Sequence, residues 1–277
     1  MNERVLRGLV AAGLVFTGGV SFGQTAPAPR IDVSSFPKEA KLVERVVVPV
    51  PSEVFAVLDK LGKPNWAAVL RPLKGVAEPS GGREKISLML GSVIAEGFIA
   101  VEAENMAEVK HIGESVRSLA KAIGVEKTIN RRASSIVECA DKRQWPDVRR
   151  ELDLAMKEVR EAMLELDNEP LAHLVSLGGW LRGTEALCQV VSRDFSRDGA
   201  ELLHQPVLIE HFERLLGGLP ERTAKKDLVG RVLKGLQQIR PRMGVSDGSK
   251  ISQETVKEIG RVCGNLVESI HSPGKSK

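Results

Sequence analysis

The sequence predicts an all-α protein, a globular multi-helix bundle built around two largely buried helices at about 86–101 and 171–191. Apolar residues recur at helical spacing along most of the chain, and no segment shows the sustained apolar and polar alternation of strands. The two stretches ISLMLGSVIAEGFIAV and LAHLVSLGGWLRGTEALCQVV are also apolar around most of the helix circumference. A helix of this kind belongs inside a larger protein, so both are expected at its centre.

The N-terminus is typical of a secretory signal. Arg4 and Arg7 precede an apolar stretch, and Ser21-Phe22-Gly23 places small residues at the two positions that a signal peptidase reads. Residues 1–23 are therefore predicted to be a signal peptide, and the protein to be exported to the periplasm or the extracellular space. The alternative is an uncleaved amphipathic helix. The apolar stretch is shorter than the roughly 20 residues of a bilayer span, so no membrane span is expected in the mature chain.

The rest of the chain divides into three predicted parts. Residues 24–82 are rich in proline and predict an extended arm with two short helices, at 52–62 and 64–72. Residues 83–271 predict one all-α domain, and 272–277 a disordered tail. Between and after the two buried helices, further helices are expected at about 106–123, 126–142, 147–166, 206–217, 227–239 and 252–270, with a short one from residue 200.

Several of these boundaries have a local chemical signal. Asn105 is an expected N-cap, because its short side chain can accept a backbone N–H, and Gly124 is an expected C-cap. Pro146, Pro170 and Pro206 stand at first-turn positions, where the missing N–H of proline costs nothing. The connections between these helices are short, which favours neighbouring helices that pack against each other.

Composition excludes some classes of function. The 40 basic and 36 acidic residues leave a net charge of +4, and the basic residues are scattered, so no nucleic-acid partner is expected. The chain has no tyrosine and only 4% aromatic residues, which limits stacking platforms. Of its three cysteines, Cys188 and Cys263 fall in apolar helical series. They are predicted to be buried free thiols, so stability should not depend on disulfides.

A polar line on the central helix is the first candidate site. It consists of Gly178, Arg182, Glu185 and Gln189. One interpretation is the wall of a ligand cleft, next to Trp180, in which a guanidinium and a carboxylate recognise a polar ligand. The favoured interpretation is a solvent slot in which Arg182 and Glu185 pair with each other or with neighbouring helices, because such helical charge pairs are common.

Glu96 is the second candidate, as the one charged residue in the apolar run 86–101. It is expected on a thin exposed edge beside Ser92 and Ala103; the alternative is burial with a cationic partner, since an unpaired buried carboxylate is too costly. No catalytic residue, metal ligand or cofactor is assigned. The candidate ligand-binding residues are Trp180, Arg182, Glu185 and Glu96.

The order of acidic and histidine residues also matches the ligand order of di-iron carboxylate bundles. Glu96 and Glu185 are each followed on the next helix by Glu-x-x-His, with histidines at His111 and His204. The helix wheel places His111 away from the apolar stripe, in solvent. The helical hairpin is also out of register by roughly 9 Å at about 1.5 Å per residue. This interpretation is therefore not adopted.

The function predicted from the sequence is an exported, non-catalytic helical protein that binds a partner protein or a small ligand outside the cytoplasm. The alternative is a metal- or substrate-binding helical-bundle enzyme that uses Glu96, Arg182 and Glu185.

Ladders of small residues predict how the two buried helices meet. One ladder contains Gly179 and Gly183, and the other contains Ser87, Gly91 and Ala95. Small residues in register let two helices approach closer than the usual distance of about 8 to 10 Å between axes. The two ladders are expected to face each other, and the alternative is that each receives a large side chain from another helix.

Overall fold

The two apolar stretches form the two central helices of the molecule. The structure is a computed structural model that describes residues 64–71, 77–224, 226–244 and 250–272, and these ranges contain helices and no strand. The all-α prediction is therefore confirmed. The helices are α1 Arg83–Glu102, α2 Met106–Ile123, α3 Glu126–Asp141, α4 Trp145–Glu165, α5 Glu169–Arg193, α6 Arg197–Glu201, α7 Pro206–Gly217, α8 Glu221–Ala224, α9 Asp227–Met243 and α10 Gln253–His271.

Several predictions concern residues outside these ranges. The signal peptide at 1–23, the short helix at 52–62 and the tail from 273 onward lie outside the described residues. The short helix predicted at 64–72 is instead a single 3₁₀ turn, Trp66–Ala68, with Asn65 as its cap. The carbonyl oxygens of Ala68 and Val69 accept hydrogen bonds from the arginine side chains of α5.

The first five helices are joined by four tight turns of the same design. Each turn has one residue in the left-handed conformation, namely Glu104, Gly124, Arg143 and Asp167. In each turn the next residue donates its N–H to a carbonyl oxygen five positions back, at 2.9 Å, as in a Schellman motif. Because each turn reverses the chain, α1 and α5 run in the same direction. The predicted caps Asn105 and Gly124 are confirmed.

Helix α5 packs between α1 and α10, and its backbone touches that of α1. A Cβ atom added to Gly91 would lie 1.8 Å from the Val175 carbonyl oxygen, and one added to Gly178 would lie 2.0 Å from that of Leu88. The prediction that the two glycine-bearing helices pair directly is therefore confirmed, but only part of the ladder on α5 takes part in the contact. Gly183 has no atom within 4 Å of its Cβ position, so it faces open space rather than α1.

Within the described ranges, no helix has both the length and the apolar character needed to cross a membrane. The side chains at the centre of α1 and α5 are instead covered by the other helices and by residues 64–71. Glu96 on α1 and both Arg182 and Glu185 on α5 belong to this covered interior.

The contact between α1 and α5 predicts opposite effects for two glycines of the same helix. Gly178→Ala should lower the free energy of unfolding by about 1 to 3 kcal/mol or more, because its methyl group overlaps a backbone carbonyl that cannot move freely. Gly183→Ala, the matched control, should be neutral or stabilise by up to about 1 kcal/mol. Urea unfolding of both variants measures the difference. Equal stabilities would contradict the observed crossing.

Candidate functional site

Three charged side chains converge between α1 and α5. Arg182 of α5 donates from Nε to Glu96 Oε2 of α1 at 2.5 Å, and its Nη1 lies 3.5 Å from Glu185 Oε2. Their exposed fractions are 1%, 3% and 2% for Arg182, Glu96 and Glu185. A buried charge is tolerated only when it is paired. Arg182 and Glu185 are three residues apart on α5, and Glu96 faces them from α1, so each ion lies beside one of opposite charge.

Residues 64–71, which we call the covering segment, lie over this cluster. Arg182 Nη2 donates to the Val69 carbonyl oxygen at 2.7 Å, and Glu96 Oε1 accepts the Arg71 backbone N–H at 2.6 Å. The Arg71 side chain donates from Nη2 to Glu185 Oε1 at 2.5 Å. The cluster therefore binds one carbonyl, one N–H and one guanidinium of the covering segment.

The cluster and Arg71 together contain two carboxylates and two guanidinium groups, which balance in charge. Burial raises the pKa of the Glu96 carboxyl above its ordinary value, although the Arg182 guanidinium and the Arg71 N–H oppose that rise. The Arg182 guanidinium and the Arg71 N–H supply the interactions that an ionised Glu96 needs at a buried position. Losing either cation would leave a buried carboxylate with less compensation.

His271, in the last turn of α10, lies against the same site. Its Nε2 is 3.0 Å from Ser92 Oγ. Burial, together with the positive charges of Arg71, Arg182 and Lys85, lowers the pKa of His271 to about 4. A helix C-terminus ordinarily favours a protonated histidine, but here desolvation and three nearby cations outweigh that effect. The imidazole is therefore neutral at neutral pH.

Two expectations for these residues are wrong. Glu96 is not on an exposed edge with Ser92, because both are buried, and α10 and the covering segment lie over that side of α1. The polar line of α5 is not a solvent slot either, although Arg182 does pair with Glu185 and with the neighbouring helix as expected. Gly178 packs against α1, and only Gln189 at the end of the line is partly exposed, donating to Glu185 Oε1 at 3.3 Å.

Trp180, the fourth candidate, lies apart from the cluster. Its indole Nε1 donates to Gln205 Oε1 at 2.8 Å, and its ring packs on Phe212 with 5.5 Å between centroids. The residue therefore supports the packing of α5 against α7.

Sequence reasoning missed Arg71 and His271 as neighbours of the cluster. One available signal was that a buried pair of carboxylates requires a second cation.

Of the residues of the di-iron pattern, Glu96 and Glu185 converge around Arg182, but the Glu-x-x-His residues do not join them to form a metal site. His111 is exposed, as predicted from the helix wheel, whereas Glu108 on the same helix is buried. Glu201 is exposed at the end of α6. Among the residues that the structure describes, no group of three or more histidine, cysteine, aspartate or glutamate side chains is arranged to hold a metal ion.

The buried thiols lie near the charged cluster, and their burial works against ionisation. Cys188 of α5 and Cys263 of α10 are free and buried, as predicted. Burial raises the pKa of both thiols above the ordinary value, and the negative charge of Glu185 adds to the rise. A thiol held protonated is a poor nucleophile. Cys139, the third free cysteine, is partly exposed.

A surface recess of about 470 Å³ lies between α7 and α9. Its charged groups pair with one another, since Arg240 is 2.9 Å from a Glu213 oxygen and 3.7 Å from a Glu210 oxygen. The recess is therefore a groove between two helices bridged by ion pairs. Nothing in its lining selects a particular ligand.

No family model, curated protein or solved structure matches this chain. Any proposal about its function depends on its own residues and their geometry.

Removing the central guanidinium should destabilise the protein strongly. Arg182→Met leaves Glu96 and Glu185 buried with less compensation, and the expected loss in free energy of unfolding is about 3 to 5 kcal/mol. Arg131→Met is the control, because Arg131 is 77% exposed, and should change stability by less than about 0.5 kcal/mol. Chemical denaturation measures both. A small loss at Arg182 would mean that the carboxylates reach solvent or another cation.

Acid should weaken the fold through His271. Its pKa is about 4 in the folded protein and 6.5 as the ordinary value, so as pH falls from 6.5 towards 4 the unfolded chain gains a proton that the folded protein does not. The resulting loss of stability is about 3 kcal/mol, complete below the folded pKa. His271→Gln should remove this part of the pH dependence, whereas His111→Gln, at an exposed position, should retain it. Unfolding curves across this range give the comparison, and identical slopes for wild type and His271→Gln would contradict it.

Proposed function

We propose that this chain is a non-catalytic helical protein that binds a polypeptide partner outside the cytoplasm. The observation that supports the proposal is which groups the cluster of Glu96, Arg182 and Glu185 binds. Its charged groups bind one another and the covering segment. A general acid or base has to come within hydrogen-bonding distance of a substrate, and here those positions are taken by Val69 and Arg71.

The same contacts favour a polypeptide as the ligand. The cluster binds a backbone carbonyl and a backbone N–H, which every polypeptide offers, together with one cationic side chain. Its donors and acceptors come from two packed helices, so their positions are fixed before a ligand arrives. A small anion, in contrast, would meet two carboxylates for the single guanidinium of Arg182.

The rival function is an enzyme or metal-binding bundle that uses Glu96, Arg182 and Glu185. These residues do converge, as that hypothesis requires. They converge around a guanidinium, however, and a metal ion near Arg182 would be repelled by its charge. A substrate would also have to displace the covering segment before it reached either carboxylate.

Export is the second part of the proposal, supported by the basic start and the apolar stretch before Ser21 and Gly23. Protein isolated from its native host should have the intact mass of a chain that begins at Gln24. The purified protein should contain metal well below one equivalent, and cross-linking in living cells should give a discrete adduct with another polypeptide.

One control and two contrary outcomes make this test decisive. A chain that lacks residues 2–23 should stay in the cytoplasm and lose the adduct. Recovery of a cytoplasmic chain with residues 1–23 intact would refute export. One equivalent of metal that disappears in Glu96→Gln and in Glu185→Gln would favour the rival.

A further inference from the structure

We propose that the groove formed by α1, α5 and α10 binds a partner segment that carries an arginine, and that the covering segment fills this groove as an intramolecular pseudoligand. The inference depends on the proposed function, and it names the chemistry of the partner and the regulation of its site. It is supported by the backbone contacts, the buried side chains and the charge balance of residues 64–71.

The backbone contacts are specific in spacing. Arg182 Nη2 binds the Val69 carbonyl oxygen, and Glu96 Oε1 binds the N–H two residues later, at Arg71. A third contact, from the exposed Arg193 to the Ala68 carbonyl oxygen at 2.7 Å, extends the row. These groups are free to bind α5 and α1 because the segment is not helical beyond its single 3₁₀ turn. A ligand helix would have used the same carbonyl oxygens for its own hydrogen bonds.

Two apolar side chains anchor the segment on the bundle. Trp66 and Val69 are 5% and 2% exposed, as buried as the core of the bundle itself. Buried tryptophan and arginine residues contribute much of the energy in protein interfaces. The segment thus has the elements of a short linear motif: an aromatic anchor, an aliphatic anchor three residues later, and a cation two residues after that.

The net charge of the groove determines that its ligand should carry a cation. Without Arg71, the buried charges of the groove are the carboxylates of Glu96 and Glu185 and the guanidinium of Arg182, which sum to −1. With residues 64–71 in place Glu185 is 2% exposed, so its charge is compensated by a cation of the bound segment rather than by water. Arginine fits better than lysine, because the two ends of its planar group reach Glu185 at 2.5 Å and Glu268 of α10 at 3.8 Å.

Covalent attachment makes the covering segment a strong competitor. A tethered segment has an effective concentration on the order of millimolar, so a free segment of equal affinity cannot displace it at ordinary concentrations. Wild-type protein is therefore closed to weak ligands. A partner binds when it contacts the groove more tightly than residues 64–71 do, or when that segment is released.

The test uses the full chain and a labelled peptide with the sequence of residues 64–71, PNWAAVLR. The double variant Trp66→Ala/Arg71→Ala weakens the covering segment, and fluorescence anisotropy should show saturable binding of the peptide to it. Wild-type protein should bind at least about tenfold more weakly because its own segment competes. A peptide with citrulline in place of arginine has the same shape without the charge and should also bind at least about tenfold more weakly.

Matched variants separate groove binding from general adhesion. Adding Glu185→Gln to the double variant should abolish the preference for arginine over citrulline. Adding Glu161→Gln, a change of the same chemistry on α4, should leave it intact. A folded double variant without saturable binding, or with equal affinity for the two peptides, would overturn the proposal.

Hydrogen exchange of the wild-type chain gives an independent answer, and it decides the matter if the double variant does not fold. Backbone amides at Val69 and Arg71 should exchange through openings that leave the centres of α1 and α5 protected. If the amides of Val69 and Arg71 were as strongly protected as those at the helix centres, the segment would leave only on global unfolding. That result would overturn the proposal. A cellular adduct without peptide binding would refute this inference and leave the proposed function standing.

Discussion

The burial of one guanidinium, that of Arg182, is the constraint on which the rest of the site depends. Arginine cannot shed its proton in a protein, so it has to be surrounded by acceptors. Glu96 of α1 and Val69 of the covering segment accept its hydrogen bonds, and Glu185 of its own helix adds a negative charge at 3.5 Å. Buried ion pairs often add little net stability, because desolvation offsets attraction. The ion pair of Arg182 instead fixes the positions of α1, α5 and the covering segment relative to one another.

The glycine contact is what brings the charges together. Gly91 and Gly178 allow the backbones of α1 and α5 to touch, and Glu96 and Arg182 lie about one turn further along the same two helices. Because these helices run in the same direction, a contact at one level sets the separation at the next. A side chain at either glycine would push the helices apart and lengthen the contact between Glu96 and Arg182. The close crossing of α1 and α5 therefore determines the geometry of the charged cluster.

The sequence predicts the helices well because helical periodicity and capping are local properties. Asn105 and Gly124 act on residues within one turn, and the burial of α1 and α5 follows from their apolar circumference. The site is not local. Arg182 meets Glu96 across 86 positions and Val69 across 113. A helix wheel correctly places Glu96 and Ser92 on one side of α1, but it cannot say what covers that side, which is why an exposed edge was expected.

The choice of the second cation links the covering segment to His271. The bundle itself provides two carboxylates and one guanidinium, and Arg71 adds the second positive charge at Glu185, whereas His271 lies beside Ser92. The charge of Arg71 disfavours a proton on His271, so the presence of Arg71 helps to keep His271 neutral. Arginine has the advantage at neutral pH because it remains charged whatever its surroundings, whereas imidazole loses its proton on burial. The second positive charge of the cluster therefore comes from a segment outside the bundle. Because the buried carboxylates favour a cation, residues 64–71 bind the groove better than an uncharged segment would.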